Sequence, residues 1–196
     1  MTIRPRRSVL YMPGSNARAM DKARTLPVDA VILDLEDSVA PDAKGVARQQ
    51  VLDAVSAGGF GGREIIIRIN GLDTSWWIED VDVVAKARPD AVLVPKVSGA
   101  QLLEDLADRL VDISADHRIR VWAMMETPLA ILHAAEIAAA AADVETRLAA
   151  FVMGTNDLAR ETRAPLQRTS SATAAWLRAP RSCARASRVQ DRWCPS

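Results

Sequence analysis

Charged and amide side chains follow a series of short apolar runs in this sequence, and they stand where each run ends. The first run ends in Tyr11-Met12-Pro13-Gly14. The later ends are Asp34-Leu35-Glu36-Asp37, Arg68-Ile69-Asn70-Gly71, Pro95-Lys96, Glu126-Thr127-Pro128 and Gly154-Thr155-Asn156-Asp157. The amino-terminal ends of the runs show no such concentration. Because desolvating a charge is costly unless it is paired or bound to a metal, this asymmetry indicates a chemical site.

Carboxylates from separate segments, together with one arginine, suit a hard divalent cation and an acidic ligand. Mg²⁺ is usually held by one or two carboxylates, which leaves positions for substrate and water. Arg68 can add bidentate recognition of a substrate carboxylate. His117 and His133 stand away from the ends of the runs, so a zinc site with histidine ligands is disfavoured and neither histidine is expected to be catalytic.

Each of these elements alone also has a purely structural explanation. The acidic segment 34–37 fits a cluster at a helix start, and Arg68 in its Ile-rich run fits a buried ion pair with Glu36. Lys96 fits a side chain that points to solvent, and Asp157 fits a cap of the next helix. The functional interpretation depends on the set and not on any one member.

The apolar runs are rich in Val and Ile, which is typical of parallel strands covered on both faces. The predicted strands are Ser8–Met12, Ala30–Leu35, Glu64–Ile69, Ala91–Val94, Val121–Met125 and Ala149–Met153. The predicted helices between them are Ala17–Leu26, Ala43–Ala57, Ala100–Leu110 and Pro128–Ala142. The turn after the first strand lacks the G-x-G-x-x-G spacing of a dinucleotide-binding fold. We therefore expect an α/β fold of the TIM (β/α)8-barrel type, with about six βα units in this chain.

The sequence changes character at Arg168. From there to Ser196 it has six arginines, no lysine, one acidic residue and both cysteines, and no further Val/Ile-rich strand appears. A natural basic tail and a shift of the reading frame near Arg168 both fit this change. We therefore predict a partial barrel domain over residues 1–167 and an atypical Arg/Ser-rich tail over residues 168–196. Cys183 and Cys194 fit no zinc pattern and are expected to be functionally silent.

The charge balance and the lengths of the apolar runs limit the kinds of partner that are expected. Lys and Arg number 25 and so do Asp and Glu, which gives a formal net charge of zero. Nucleic-acid binding needs a cationic excess, so no nucleic-acid partner is expected. No apolar run has the length that a membrane span needs, and the N-terminus lacks the pattern of a signal peptide. We expect a cytoplasmic protein with no membrane partner.

Six motifs resemble one known family in their order and spacing. Arg7–Gly14 and Ile32–Pro41 resemble the opening of the citrate lyase beta-subunit-like proteins. These proteins form, with the malyl-CoA lyases, the CoA-ester lyase branch of the HpcH/HpaI aldolase superfamily. The match continues through Ile67–Thr74, Val94–Lys96, Met125–Pro128 and Gly154–Ala159. The resemblance covers residues 5–167.

The resemblance implies a Mg²⁺-dependent carbon–carbon lyase. Such an enzyme performs a retro-Claisen cleavage of a 3-hydroxyacyl thioester, for example citryl-, malyl- or citramalyl-CoA, into an acetyl thioester and a 2-oxo acid. The expected partners are an acyl-CoA or acyl-carrier thioester and an oxo acid such as oxaloacetate, pyruvate or glyoxylate. A homo-oligomer is also implied, because intact relatives are often trimers.

Roles for individual residues follow from the same resemblance. Glu126 and Asp157 would bind Mg²⁺, while Arg68 and Glu126 would contact the oxo-acid or hydroxy-acid portion of the substrate. Arg68, Glu36 and Asp37 are the expected catalytic residues, with the two carboxylates orienting Arg68 or a bound water. Mg²⁺ would act as a Lewis acid on the hydroxyl and neighbouring carboxylate, and Arg68 would stabilise charge on the oxo-acid oxygen.

The sequence departs from the family at its C-terminus, where relatives continue through two more barrel units and an extension. One alternative is therefore a truncated, inactive protein that binds small oxo acids or associates with full-length relatives. Another alternative is a class II aldolase of the same superfamily that acts on free oxo acids. The Glu126-Thr127-Pro128 and Asp34-Leu35-Glu36-Asp37 forms favour the thioester branch.

Overall fold

The structure is a computed structural model that describes residues 4–164 and the backbone of residues 176–178. The predicted tail, 168–196, lies outside the described residues apart from those three. The strands are β1 (Val9–Pro13), β2 (Ala30–Asp34), β3 (Glu64–Arg68), β4 (Ala91–Val94), β5 (Arg120–Met125), β6 (Leu148–Met153) and β7 (Trp176–Arg178). The α-helices are α1 (Ala17–Ala23), α2 (Lys44–Ala57), α3 (Trp77–Ala87), α4 (Gln101–Asp112), α5 (Pro128–Leu132), α6 (Ala134–Ala139) and α7 (Thr155–Thr162). Short 3-10 turns occupy Pro41–Ala43 and Ala140–Ala142.

The chain forms two compact units. The first comprises Met1–Val94 and Arg109–Arg120, and the second comprises Pro95–Asp108 and Val121–Ser196. In the first unit β1, β2, β3 and β4 pair in that order, and every pair is parallel. All residues of β2, β3 and β4 are buried, as expected for strands that are apolar on both faces.

Helix α2 carries cations on its buried face. Its buried residues are Lys44, Ala47, Arg48 and Val51, which recur at the three- and four-residue spacing of one helix stripe. Gly58 ends the helix with a positive φ of 66°, a backbone conformation that favours glycine, and its N–H donates to the carbonyl of Val55. Helix α3 was not among the predicted helices, although Trp77, Val81 and Val84 have helical spacing.

In the second unit β5 and β6 are parallel, with an irregularity in their register between Val121 and Trp122. The three-residue strand β7 pairs with β6 in the antiparallel direction. The sequence predicted no strand after β6, and this strand was missed because three residues have no apolar periodicity. Because β7 is antiparallel, it adds no further βα unit.

The predicted helix Pro128–Ala142 is wrong as one continuous helix. Thr127 caps α5 through a hydrogen bond from the N–H of Ala130, and Pro128 stands in the first turn. At His133 the backbone has a φ of −96° and a ψ of 12°, which ends α5 and separates it from α6. The segment is rich in alanine, which favours a helix, so propensity alone does not locate the break.

The amino-terminal ends of the strands in the first unit carry three ion pairs, so charge is concentrated there too, contrary to the interpretation of the sequence. The pairs are Arg4 with Asp90, Arg6 with Glu64 and Arg7 with Asp29. Each carboxylate lies at the start of a strand or directly before it. Sequence reasoning missed the pairs because the three arginines lie in one segment before β1, far from their partners along the chain.

Strands β1 to β6 alternate with helices along the chain. The fold is therefore α/β of the TIM-barrel type with six βα units, as predicted. Within the residues that the structure describes, none of the helices combines the length and the apolar character required to cross a membrane.

Candidate functional site

Asp34 and Arg68 are neighbours because of strand register. They are the last residues of β2 and β3, and they are paired in the parallel register of these strands. Register partners on parallel strands project to the same face of the sheet. The Nε and Nη2 atoms of Arg68 donate to the two carboxylate oxygens of Asp34, each at 2.7 Å. This is the bidentate geometry in which an arginine–carboxylate pair is strongest.

The loop after β2 brings two more carboxylates to the same guanidinium. Nη1 of Arg68 lies 2.7 Å from Oε2 of Glu36 and 3.4 Å from Oδ2 of Asp37. Arg68 and Glu36 are buried, whereas the side chain of Asp37 is 62% exposed. The ring of Tyr11 lies beneath the guanidinium carbon at 5.4 Å from its centroid. We call Asp34, Glu36, Asp37 and Arg68 the arginine cluster.

Electrostatics favour the charged form of both members of the Asp34–Arg68 pair. Burial raises the pKa of Asp34, but the hydrogen bonds and charge of Arg68, with hydrogen bonds from the Ser38 side chain and the N–H of Glu36, outweigh it, so the pKa lies below its ordinary value. Burial lowers the pKa of Arg68, but Asp34 and then Glu36 raise it above its ordinary value. The cluster therefore holds a fixed positive charge among three carboxylates.

A second buried polar network lies behind the loop that carries Glu36. Nζ of Lys44 donates to the carbonyls of Leu35 and Glu36 at 2.7 and 2.8 Å and to Oδ1 of Asn70 at 2.7 Å. The amide of Asn70 donates to Oδ2 of Asp80 at 2.6 Å and to the Leu35 carbonyl at 3.0 Å. These hydrogen bonds join the loops after β2 and β3 to helices α2 and α3.

This network and the leading role of Asp34 in the arginine cluster were not predicted from the sequence. Lys44 did carry a signal, because it is the first residue of α2, and a cation at a helix N-terminus opposes the helix dipole. An unfavourable placement of this kind indicates a specific partner. Asn70 was noted as a polar residue at a strand end, but its partners, like Asp80, are separated from it in the sequence and could not be assigned.

In the second unit Glu126 follows β5 and is buried, with 1% exposure. Its Oε1 accepts a hydrogen bond of 2.7 Å from the N–H of Lys96, whose φ of 52° lies in the left-handed region. Gly154 packs so closely that an added Cβ would lie 2.4 Å from Cβ and 2.5 Å from Oε2 of Glu126. Glu126 is thus held by one backbone donor and by a contact that only glycine permits.

Asp157 lies in the first turn of α7, three residues after Gly154. A carboxylate in this position interacts favourably with the helix dipole. Its Oδ1 accepts a hydrogen bond of 2.5 Å from Nη2 of Arg160, one turn along the helix. Asp157 is not the N-cap, because Gly154 holds that position and provides no side-chain bond. The capping alternative for Asp157 is therefore wrong.

The donors in the second unit fit magnesium by their chemistry. Glu126 and Asp157 offer carboxylate oxygens alone, which is the donor type that Mg²⁺ takes, and two carboxylates suffice when substrate and water complete the shell. Among the described residues no group of three or more His, Cys, Asp or Glu side chains is placed to hold a metal ion. The donor set fits Mg²⁺ better than zinc, which favours closed sets of Cys and His.

The predicted site residues fall in both compact units. Arg68, Glu36 and Asp37 come together in the first unit, and the ion-pair alternative for Arg68 and Glu36 is confirmed. Glu126 and Asp157 both belong to the second unit, and Lys96 is exposed, as its structural alternative expected. The catalytic, substrate-binding and metal-binding roles assigned to these residues stay predictions.

An α/β chain of barrel type, with ion-paired carboxylates at the carboxyl ends of its strands, belongs to the class of enzyme scaffolds that place chemistry on the βα loops. The sequence profile of the HpcH/HpaI aldolase/citrate lyase family matches residues 7–191. This chain belongs to that family. The match extends beyond residue 167, where the resemblance was expected to end.

Two relatives indicate the chemistry of the family. The chain is 48% identical over 157 residues to a (3S)-malyl-CoA thioesterase of Cereibacter sphaeroides (strain KD131), a match that covers 80% of this chain and 51% of the relative. It is 34% identical over 165 residues to the citrate lyase subunit beta of Escherichia coli (strain K12), covering 82% and 53% respectively. The chain spans about half the length of these curated relatives.

A solved structure resembles the fold. The CitE protein from Mycobacterium tuberculosis, crystallised in complex with magnesium and acetoacetate, superposes with a TM-score of 0.66 at 27% sequence identity. The match covers 89% of this chain and 65% of that protein. The relatives are named as a thioesterase of malyl-CoA and a subunit of citrate lyase, and the magnesium and acetoacetate belong to the neighbouring structure.

Proposed function

We propose that this chain is part of a Mg²⁺-dependent enzyme that cleaves a carbon–carbon bond in a 3-hydroxyacyl-CoA. The observation that carries the proposal is the anchoring of Arg68. Two of its nitrogens are fixed by Asp34 at the carboxyl end of a buried strand, which leaves Nη1 beside Glu36 and the exposed Asp37. A guanidinium held this rigidly is preorganised to bind an acidic substrate without reorientation.

The weakest contact in the arginine cluster indicates where the substrate would bind. Asp37 lies 3.4 Å from Nη1, farther than the 2.7 Å contacts of Asp34 and Glu36. We therefore place the carboxylate or developing oxo group of the substrate at Nη1, beside Asp37. In this position Arg68 stabilises the charge that accumulates on the oxo-acid product.

The bond changes follow the retro-Claisen pattern. The substrate hydroxyl loses its proton to a carboxylate, for which we propose the exposed Asp37, and its oxygen becomes the carbonyl of the oxo acid. The adjacent carbon–carbon bond breaks, and its electron pair forms the enolate of the acetyl thioester. The enolate carbon then takes back the proton, so that one hydroxyacyl thioester gives one acetyl thioester and one oxo acid.

The second unit would supply the metal site. Glu126 and Asp157 would hold Mg²⁺, and Glu126 would also contact the acidic portion of the substrate. When bound, Mg²⁺ supplies Lewis-acid polarisation of the hydroxy-acid or oxo-acid oxygens. The backbone N–H of Lys96 fixes Oε1 of Glu126 and so sets the orientation of this carboxylate before any ligand arrives.

Hydrolysis of the thioester is the second candidate function. It is supported by the 48% identity to a malyl-CoA thioesterase, which exceeds the 34% identity to a citrate lyase subunit. In hydrolysis water attacks the thioester carbonyl, the carbon–sulfur bond breaks, and the products are free CoA and the intact hydroxy acid. The two functions therefore differ in their products from the same substrate.

An activity screen decides between the two candidates. The chain is incubated with malyl-, citramalyl- and citryl-CoA, with Mg²⁺ or with EDTA, and the products are separated by chromatography. Acetyl-CoA with an oxo acid, formed only with Mg²⁺, supports the lyase. Free CoA with the hydroxy acid supports the thioesterase. Absence of both products, together with retained binding of pyruvate or oxaloacetate, would identify the inactive binding protein instead.

A further inference from the structure

Lys44 is a buried cation that the proposed reaction does not use. The residue is 6% exposed, and its three ammonium hydrogens have three acceptors, the carbonyls of Leu35 and Glu36 and Oδ1 of Asn70. The Nζ atom also lies 5.2 Å from the ring centroid of Trp76. Because its hydrogen-bonding capacity is already filled, the ammonium has no donor left for a ligand.

Burying an ammonium at this position is not an efficient way to stabilise the fold. A buried ammonium is expensive unless a carboxylate or several good acceptors compensate it, and a well-packed apolar side chain is often equally stable in such a place. Lys44 also begins helix α2, where the dipole disfavours a cation. The carboxylates of Asp80, Asp34, Glu36 and Asp37 act on the ammonium only as nearby charges, and its pKa still falls below the ordinary value because of burial.

The acceptors of Lys44 indicate which parts of the chain its ammonium connects. Leu35 and Glu36 contribute successive carbonyls of the loop that carries the carboxylates of the arginine cluster. Asn70 stands two residues after Arg68, and its backbone N–H and side-chain amide both donate to Oδ2 of the fully buried Asp80. One ammonium therefore joins the main chain beneath Glu36 to the loop that follows Arg68.

We propose that Lys44 is a positioning residue, which holds the loop of residues 35–38 so that Glu36 and Asp37 face Nη1 of Arg68. The inference rests on the proposed function where it concerns ligand binding, and on the geometry alone where it concerns the loop. Without the ammonium, the carbonyls of Leu35 and Glu36 lose their anchor and the loop opens locally. The guanidinium would then lose the carboxylates that orient it, and an acidic ligand would bind more weakly.

The test compares Lys44→Met with Val51→Ala in the full chain. Both residues lie on the buried face of α2, so Val51→Ala serves as the control for a merely structural defect in the same helix. Hydrogen exchange by NMR is followed at the amides of Glu36 and Ser38, which donate to Asp34. Binding of pyruvate and oxaloacetate is measured by calorimetry in parallel.

For Lys44→Met we expect exchange at these two amides to accelerate about tenfold while the amides of β3 keep their rates, because the opening is local. Oxo-acid binding should weaken about fivefold or more, as expected when a charged hydrogen bond is lost indirectly. Val51→Ala should lower the denaturation midpoint and leave both the relative exchange pattern and the affinity unchanged.

Uniform acceleration across the first unit in Lys44→Met, as in Val51→Ala, would show that Lys44 is only structural and would overturn the proposal. Unchanged exchange at Glu36 and Ser38 would overturn it equally. If the wild type binds no oxo acid, the proposed function fails, while the exchange data still decide the role of Lys44. If Lys44→Met does not fold, Lys44→Arg replaces it, since the planar guanidinium keeps the charge but cannot direct three hydrogens from one nitrogen to the three acceptors. Local acceleration in that variant supports the proposal, and unchanged exchange contradicts it.

Discussion

Arg68 and Asp34 form a buried bidentate pair in which Nε and Nη2 each lie 2.7 Å from one carboxylate oxygen. The pair exists because the two residues are register partners at the ends of adjacent parallel strands. It fixes the plane of the guanidinium, and it thereby fixes the direction in which Nη1 points.

Replacing Arg68 by lysine should weaken oxo-acid binding. Lysine keeps the charge but cannot hold Asp34 with two nitrogens and present a third nitrogen to the ligand. We expect a loss of about 1.5–3 kcal/mol in the binding free energy of oxaloacetate or pyruvate, the scale of a charged hydrogen bond. Calorimetry measures it, with the exposed Arg18→Lys as the matched control. Equal affinity in Arg68→Lys and wild type would assign Arg68 a purely structural role.

The Asp34–Arg68 pair should also make the free energy of unfolding depend on pH. The pKa of Asp34 is lowered in the folded protein, since the stabilisation by Arg68 outweighs the effect of burial. Its contribution is therefore present above the unfolded value of about 3.9 and is lost as the pH falls below it towards the folded pKa. Asp34→Asn should destabilise the protein at pH 7, on the scale of about 3 kcal/mol for a broken buried pair.

Urea denaturation between pH 7 and pH 2.5 measures this effect. The gap between wild type and Asp34→Asn should narrow below about pH 4, because the carboxylate of unfolded wild type becomes protonated there while the folded carboxylate stays ionised to lower pH. Asp53→Asn, at an exposed position in α2, is the control. A gap that stays constant through this range would mean that the charge of Asp34 contributes nothing to stability.

Strands β2, β3 and β4 could be predicted because they are buried on both faces. β2, β3 and β4 have no exposed residue, so their sequences are apolar runs whose limits lie within a residue of the observed ones. Helices were harder to predict. The break at His133 depends on backbone angles that an Ala-rich sequence does not specify, and α3 was overlooked although its buried face has helical spacing.

The position of the candidate site could be predicted where it depends only on which residues end the strands. Parallel strands bring their carboxyl ends to one edge, so Asp34, Glu36 and Arg68 could be assigned to one place from the sequence. Which carboxylate takes the bidentate position is set by register, and a shift of one residue would have changed the partner. The hydrogen bonds of Lys44 to Leu35 and Asn70 depend on the packing of α2, which no local pattern encodes.

Asp157→Ala should weaken Mg²⁺ binding by at least about tenfold, the loss expected when one of two protein carboxylates is removed from a site of this kind. Glu161→Ala is the matched control, because it removes an exposed carboxylate from the same helix and leaves the first turn intact. Calorimetric titration with MgCl₂ measures both variants. The same affinity in Asp157→Ala, Glu161→Ala and wild type would remove Asp157 from the metal site.

Gly154→Ala should destabilise the protein through its contact with Glu126. The φ of Gly154 is −88°, which any residue adopts, so the penalty comes from space alone. The new Cβ would lie 2.4 Å from Cβ of Glu126, and relieving such an overlap costs about 1–3 kcal/mol. Because Glu126 must move, Mg²⁺ affinity should also fall if this carboxylate is a ligand.

A double-mutant cycle isolates this contact. Gly154→Ala is compared in the wild type and in a Glu126→Gly background, where the Cβ and the carboxylate are gone and the penalty should nearly vanish. Gly45→Ala is the control, because nothing lies within 4 Å of its added Cβ, and alanine should stabilise helix α2 there by up to about 1 kcal/mol. Urea denaturation gives all of the free energies of unfolding. An equal penalty for Gly154→Ala in both backgrounds would show that the close approach to Glu126 does not determine the need for glycine at this position.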